Sequence, residues 1–520
     1  MRKISIFNEV IGPIMRGPSS SHTAASYHIG RLIRNLLDDE PSSVDIIFAK
    51  NGSYAAVYHQ QGSDLGFATG LLGWKIIDER FLEALKETKK LGLKINFKVG
   101  ILKADDHPNA IEIRGTSKSG RHISAIARSI GGGAVDITQF NGWQVRLTGD
   151  AYEVLIEIKN EARQAVVQLL GNEPENLEQP LTQTQGGGTL LHFKRLRPLD
   201  ERKLSQVRSM LGIKEVWTTS PIFFSQPGEP LFNSGKEMVD LAGKNGYTLG
   251  RLALAYEAKL LGISEEEVTQ EMWRRYEIMK TAMLKGLDKN LRGMQLLEPT
   301  AGSIIDSEKK GKVAIGGIHT RAAARALSVM HVNSSMGVVC AAPTGGSAGT
   351  IPGVITTLAE EKSLNERQIV LAMCAASAIG LILAIRGTFA AEVAGCQVEI
   401  GAAGAMSAAA VVEVAGGTAQ QACDAAAISF QNTMGSVCDL VQGMVEIPCH
   451  TRNALAASSA FVCADLILGG YYNPIPLDET IDAVISVGNM LPPELRCTAL
   501  GGLAITPSAL SLKPHAPDEK

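Results

Sequence analysis

The chain lacks a pair of neighbouring thiols. Its eight cysteines include no CxxC, so neither a zinc knuckle nor a redox dithiol is legible in them. It also lacks a basic excess. Fifty Lys and Arg against 53 Asp and Glu leave a net charge of −3, which excludes the electrostatic footprint of a nucleic-acid binder. No apolar h-region follows Met1-Arg2-Lys3, so no secretory signal is expected there. The longest uncharged apolar run, Ile369 to Ile385, is closed by Arg367 and Arg386, and its Ala, Ser and Gly content suits a core helix, not a membrane span. No lysine stands in a pyridoxal-phosphate motif, and the Gly-rich Ala342-to-Gly353 stretch lacks the lysine of a P-loop. These absences predict a soluble, cytoplasmic protein, without nucleic-acid or membrane partners, whose cysteines are reduced thiols or ligands.

Three segments are expected. Residues 1–145 alternate strand and helix signals: a helix over Ala24 to Leu37, a strand at Val44 to Ala49, a charged helix from Phe81 to Leu91, and strands at Leu93 to Val99 and Ala110 to Arg114. That is an α/β domain. Residues 146–225 read in βαββαβ order, a ferredoxin-type unit, with strands at Val154 to Ile158 and Thr189 to Lys194. Residues 226–520 are helical by pattern and rich in Ala and Gly, so an all-α bundle with closely approaching helices is expected.

Three places carry chemistry. Cys396, Cys438 and Cys449 lie in small, Gly-rich or Pro-terminated contexts, with 41 and 10 residues between them. Three such thiols are either buried structural cysteines or ligands that hold a four-iron cluster and leave one iron without a protein ligand. Gly17-Pro18-Ser19-Ser20-Ser21-His22-Thr23 places four hydroxyls around a histidine at a helix start, more than capping demands, and suits an anion or a catalytic role. Thr344, Gly345 and Ser347 lie in a second polar, Gly-rich turn that is either an anion nest or a helix break.

Together these motifs resemble the iron–sulfur-dependent L-serine dehydratases. Further matching stretches are Ser129 to Gly133, Val332-Asn333, Glu446 to Cys449 with Arg452-Asn453-Ala454, and Gly501 to Ala504 with Thr506-Pro507. The resemblance implies a fusion of the family's β part, an ACT-like regulatory module and the α part. It implies a [4Fe–4S] cluster on Cys396, Cys438 and Cys449, and deamination of L-serine to pyruvate and ammonia. A homodimer acting in amino-acid degradation and gluconeogenesis is the corresponding expectation. Ser19, Ser20, Ser21, Thr23, Asp64, Thr344, Gly345 and Ser347 are then expected around the substrate.

The chain departs from the family pattern at several points. Gln61, in Gln60-Gln61-Gly62-Ser63-Asp64, stands where the family carries a histidine, and an amide is no general base. His22 and His59 are the candidates to replace it. Arg386 stands in a stretch normally built of small and hydroxyl residues, where it either reads a second carboxylate or caps the preceding helix. These changes leave open the same lyase chemistry on another β-hydroxy or β-substituted amino acid, and a non-catalytic amino-acid sensor.

Overall fold

A computed structural model describes residues 3–102 and 107–515, so Met1 and Arg2 of the opening stretch lie outside the described residues. The strands are β1 (Ile14–Arg16), β2 (Pro41–Ala49), β3 (Lys94–Gly100), β4 (Ala110–Ser117), β5 (His122–Gly131), β6 (Ala134–Phe140), β7 (Trp143–Leu147), β8 (Tyr152–Ile158), β9 (Leu181–Gln185), β10 (Gly188–Arg195), β11 (Ile213–Thr219) and β12 (Val338–Cys340).

A six-stranded sheet ordered β3-β2-β4-β5-β6-β7 forms the first layer. Its β2–β3 pair is parallel and the others antiparallel. On β2 the alternation is plain: Val44, Ile46 and Phe48 are buried, while Asp45 pairs with Asn96 and Lys98. The helix Ala25–Leu37 lays Ile29, Leu32, Ile33 and Leu36 on this layer, the spacing of one helical face. Its N-terminal end emerges from the Ser19–Thr23 turn, so the sheet fixes where that turn sits.

The second layer is a four-stranded antiparallel sheet ordered β11-β8-β10-β9, with helices Arg163–Leu170 and Glu201–Ser209 buried on one face. The chain order is βαββαβ. Its other face docks on the first sheet, where Trp217 meets Phe140 edge-on at 5.1 Å.

From Gly235 the chain is helical. Two helices, Glu366–Arg386 and Cys396–Val414, are long and apolar enough to cross a membrane by length and composition, yet 83% and 89% of their apolar windows are buried among other helices. Small residues permit the close packing: a Cβ at Gly286 would sit 1.7 Å from the carbonyl oxygen of Ser328.

The C-terminal part is not purely α, as the pattern suggested. β12 pairs with β1, Ile14 opposite Cys340, so the backbone groups of an irregular stretch find partners in the N-terminal chain. That N-terminal chain belongs to the helical core: Ile4, Ile6, Phe7, Val10 and Ile11 are buried within it. Glu257, fully buried on helix Leu249–Leu261, accepts Ser5 Oγ at 2.5 Å, Ile6 N at 2.8 Å and Phe7 N at 3.1 Å. Three donors on one buried carboxylate make this a strong clamp.

Candidate functional site

Ser20–Ala24 forms a single wide π-helical turn, and Ser19 caps it by accepting the His22 N–H. The turn is buried from Ser19 to Thr23. Asn333 donates to Pro18 O at 2.8 Å, and Gly345 N donates to Ser20 Oγ at 3.0 Å, so the two Gly-rich turns are pinned face to face. A Cβ at Gly345 would lie 2.8 Å from Ser20 N, which leaves glycine as the residue that fits.

His22 is the centre of the buried polar network. Its Nε2 lies 3.1 Å from Ser53 Oγ, and its Nδ1 lies 3.2 Å from both Ser19 Oγ and Ser21 Oγ and 3.4 Å from Glu392 Oε1. Ser53 donates to the Cys497 carbonyl at 3.0 Å, so its oxygen is free to accept from His22. The network therefore assigns the proton to Nε2 and the lone pair to Nδ1. Burial lowers the His22 pKa below 6.5, opposed by the nearby Glu392 carboxylate, and the imidazole is neutral at pH 7. Tyr54 packs against the ring at 4.7 Å and donates to Ser21 O at 2.8 Å.

Glu392 is the residue the sequence did not single out. It is buried, Ser21 Oγ donates to its Oε1, and its Oε2 has no hydrogen-bond partner among the described residues. Only its place four residues before Cys396 could have flagged it.

The three singled-out cysteines come together in one buried cluster, and Cys497 joins them. None is in a disulfide. Cys396 opens a 3-10 turn, Cys449 opens helix Cys449–Leu468, and Cys438 lies in an extended stretch paired with Arg496. The Arg452 guanidinium reaches Cys396 Sγ at 3.6 Å and Asp439 at 3.0 Å. A hydrogen bond from Cys438 and the charge of Arg452 hold Cys396 below the usual thiol value, while burial pushes Cys449 well above it. Cys396, Cys438 and Glu399 bring ligand atoms within 4.8 Å of one another. Burial, aided by Cys396 and Glu392, raises the Glu399 carboxyl well above its usual range. Asn453 ties the two sides together, donating to Gly346 O at 2.8 Å and Cys449 O at 2.9 Å.

The other expected site residues divide. Ser19 and Ser21 face His22. Ser20 and Thr23 hold structure, Thr23 donating to Gln61 O at 2.6 Å. Ser347 and Thr344 bond each other at 3.0 Å. Gln61 is buried and turned toward the thiols, its Nε2 3.8 Å from Cys497 Sγ. His59 and Asp64 do not join the network. His59, 76% exposed, pairs outward with Asp64 at 2.7 Å, because the turn before helix Ser63–Leu72 points it to solvent. Arg386 is also elsewhere, at the end of helix Glu366–Arg386, held by Asp482 and Asp478. It is a surface arginine at a helix C-terminus, the second of its two sequence readings.

Comparison with known proteins gives this geometry a context. Residues 214–504 match the family model described as serine dehydratase alpha chain. The probable L-serine dehydratase alpha chain of Bacillus subtilis is 35% identical over 283 residues, 54% of this chain and 94% of that protein. The probable L-serine dehydratase alpha chain of Latilactobacillus sakei is 45% identical over 196 residues, 38% of this chain and 94% of that protein. L-serine dehydratase TdcG of Escherichia coli is 31% identical over 286 residues, 53% of this chain and 62% of that protein.

Proposed function

The chain belongs to the iron–sulfur L-serine dehydratase family and is an ammonia-lyase, and from that premise we propose that it deaminates L-serine to pyruvate and ammonia by eliminating the β-hydroxyl. The observation that carries the reading is the meeting of two remote segments: Ser21 and His22 close on Glu392, four residues from a cluster of buried thiols.

The donor set fits the implied cofactor. Cys396, Cys438 and Cys449 are free thiols, buried together, with Arg452 against Cys396 to offset thiolate charge. They would hold a [4Fe–4S] cluster, which when bound supplies a Lewis acid for polarising the departing hydroxyl's C–O bond.

The chain's own groups do the rest. His22 Nδ1, neutral and facing inward, accepts the Cα proton, and Glu392 steadies the imidazolium that results. Glu392 Oε2, buried without a partner among the described residues, takes the substrate's ammonium group. Ser19 and Ser21 orient the substrate's polar end. Loss of the Cα proton and the hydroxide gives aminoacrylate, which tautomerises to the imine and hydrolyses to pyruvate and ammonia. The burial of every one of these groups keeps bulk water from the reacting atoms. The βαββαβ unit, by its strand order, supports an ACT-like regulatory role.

Anaerobically purified protein should release pyruvate and ammonia in equal amounts from L-serine, faster than from other β-hydroxy or β-substituted amino acids. A different best substrate would move the reading to the same lyase chemistry on that compound. Release from none of the panel by iron-loaded protein would leave a binding role.

A further inference from the structure

Ser53 is buried and opens helix Ser53–Val57, yet its hydroxyl does not cap that helix: Gly52 is the N-cap and brings no side-chain bond. The hydroxyl instead bridges two remote segments, lying 3.1 Å from His22 Nε2 and donating to the Cys497 carbonyl at 3.0 Å. Both ends of the bridge are fixed by backbone. Ser53 N donates to Pro108 O at 3.0 Å, and a Cβ at Gly52 would lie 2.4 Å from the same oxygen, so glycine is what lets this turn approach it. Cys497 N donates to Cys438 O at 2.9 Å, which holds the accepting carbonyl in place.

The other ring nitrogen is under an opposite influence. Glu392 Oε1, 3.4 Å from Nδ1, draws the single proton of the neutral ring to that side, because a carboxylate is the stronger acceptor. A proton there would remove the lone pair that faces the substrate and leave one at Nε2, facing Ser53. Ser21 donates to the same Oε1, and Ser19, which accepts the His22 N–H at 3.3 Å, keeps its own proton for Nδ1. These bonds weaken the pull but offer nothing to a proton on Nε2. Among the described residues, Ser53 Oγ is the acceptor in reach of Nε2. A carbonyl cannot donate, so the Ser53 proton goes to Cys497 O and its oxygen is left to accept from the ring.

We propose that Ser53 is a positioning residue that sets the tautomer of His22, holding the ring proton on Nε2 against the pull of Glu392 so that the Nδ1 lone pair stays on the substrate side. This rests on the reading of His22 as the base.

Nitrogen NMR of full-length, substrate-free protein with isotope-labelled histidine reads the tautomer without turnover, because protonated and unprotonated ring nitrogens resonate far apart. The protein would be iron-loaded, and the His22 signals are those that vanish in His22→Ala. The ring proton should sit on Nε2 in wild type, on Nδ1 in Ser53→Ala, and on Nε2 again in Ser53→Thr, which keeps the hydroxyl. With bound iron matching wild type, Ser53→Ala should lower kcat on L-serine about 10²- to 10⁴-fold at unchanged KM, and Ser53→Thr should bring it back to within several-fold. A proton on Nδ1 in wild type would overturn the proposal, as would one tautomer shared by wild type and Ser53→Ala, or a Ser53→Thr protein as slow as Ser53→Ala. Wild-type turnover in His22→Ala would instead overturn the reading of His22 as the base, and this inference with it.

Discussion

The cysteine side of the site is carried on a 3-10 turn, an extended stretch and a helix start within one half of the chain, whereas the histidine side hangs on one π-helical turn held by partners from elsewhere. Cys396, Cys438 and Cys449 fall within 54 residues, and the matched family region contains all of them. The Ser19–Thr23 turn lies outside that region and depends on Asn333, Gly345, Ser53 and Glu392. The difference is one of range. Local turns place Cys396 and Cys449 and a backbone pairing with Arg496 places Cys438, while hydrogen bonds of still longer range place the base. The two sides should therefore fail in different ways when altered.

The largest effect belongs to the sulfur side. Cys396→Ser, Cys438→Ser or Cys449→Ser should each cost bound iron and take activity to the assay background together, measured by iron content and pyruvate release. A variant that loses its iron but keeps its turnover would break the comparison, because the thiols would then be structural.

Next comes the histidine side. Replacing His22 by Ala, or Glu392 by Gln, should lower kcat about 10²- to 10⁴-fold, the range of a lost general base, with iron content unchanged. The pH profile sharpens this. Burial depresses His22 below 6.5 and Glu392 raises it, so the acid limb of kcat/KM should lie below pH 6.5 in the wild type. Glu392→Gln removes the raising influence, and the limb should move to lower pH. A limb that stays in place would remove His22 from the role of base.

How far the sequence foretold each side follows from the same difference in range. β2, β4 and the helices Ala25–Leu37 and Leu249–Leu261 were legible because alternation or helical spacing runs their length, and β8 and β10 because each is a short run buried on both faces. β5 has the same alternation from Ile123 to Ala127, but its Gly131-Gly132-Gly133 end was read only as a motif. The sulfur ligands were legible by their contexts. Glu392 and Cys497 were not: neither has a periodic or motif signal, and each gains meaning only when Ser21 or Cys438 is brought beside it. His59 was placed near the site for its closeness to Gln61 in sequence. The chain turns between them, leaving Gln61 buried and His59 in solvent.

A smaller, purely structural effect tests how the first residues bind the two halves together. Glu257→Ala would strand the Ser5 hydroxyl proton and Ile6 N in the core, while Phe7 N keeps Ser5 Oγ at 3.1 Å, and should cost about 3 kcal/mol of stability by denaturant titration. Because β1 follows directly and leads to the Ser19 turn, the same variant should lower the activity of folded protein while leaving its iron content unchanged. A loss of iron without a loss of stability would show that the N-terminal chain supports the sulfur side as well.

The smallest effect is expected at Arg386, where the sequence allowed a carboxylate-reading role. Its guanidinium is held by Asp482 and Asp478 on helix Leu477–Met490, at the partly exposed end of helix Glu366–Arg386. An ion pair so placed is screened by solvent, and such pairs contribute between nothing and about 1 kcal/mol. Arg386→Ala should therefore lower stability by no more than that amount and leave kcat/KM for every amino acid in the panel unchanged. His59→Ala should behave the same way, since its partner Asp64 keeps the Leu65 N–H as a second contact. A selective loss on a substrate with an extra negative group in Arg386→Ala would mean that this helix end reaches the substrate. The histidine side would then extend beyond the buried network to the protein surface.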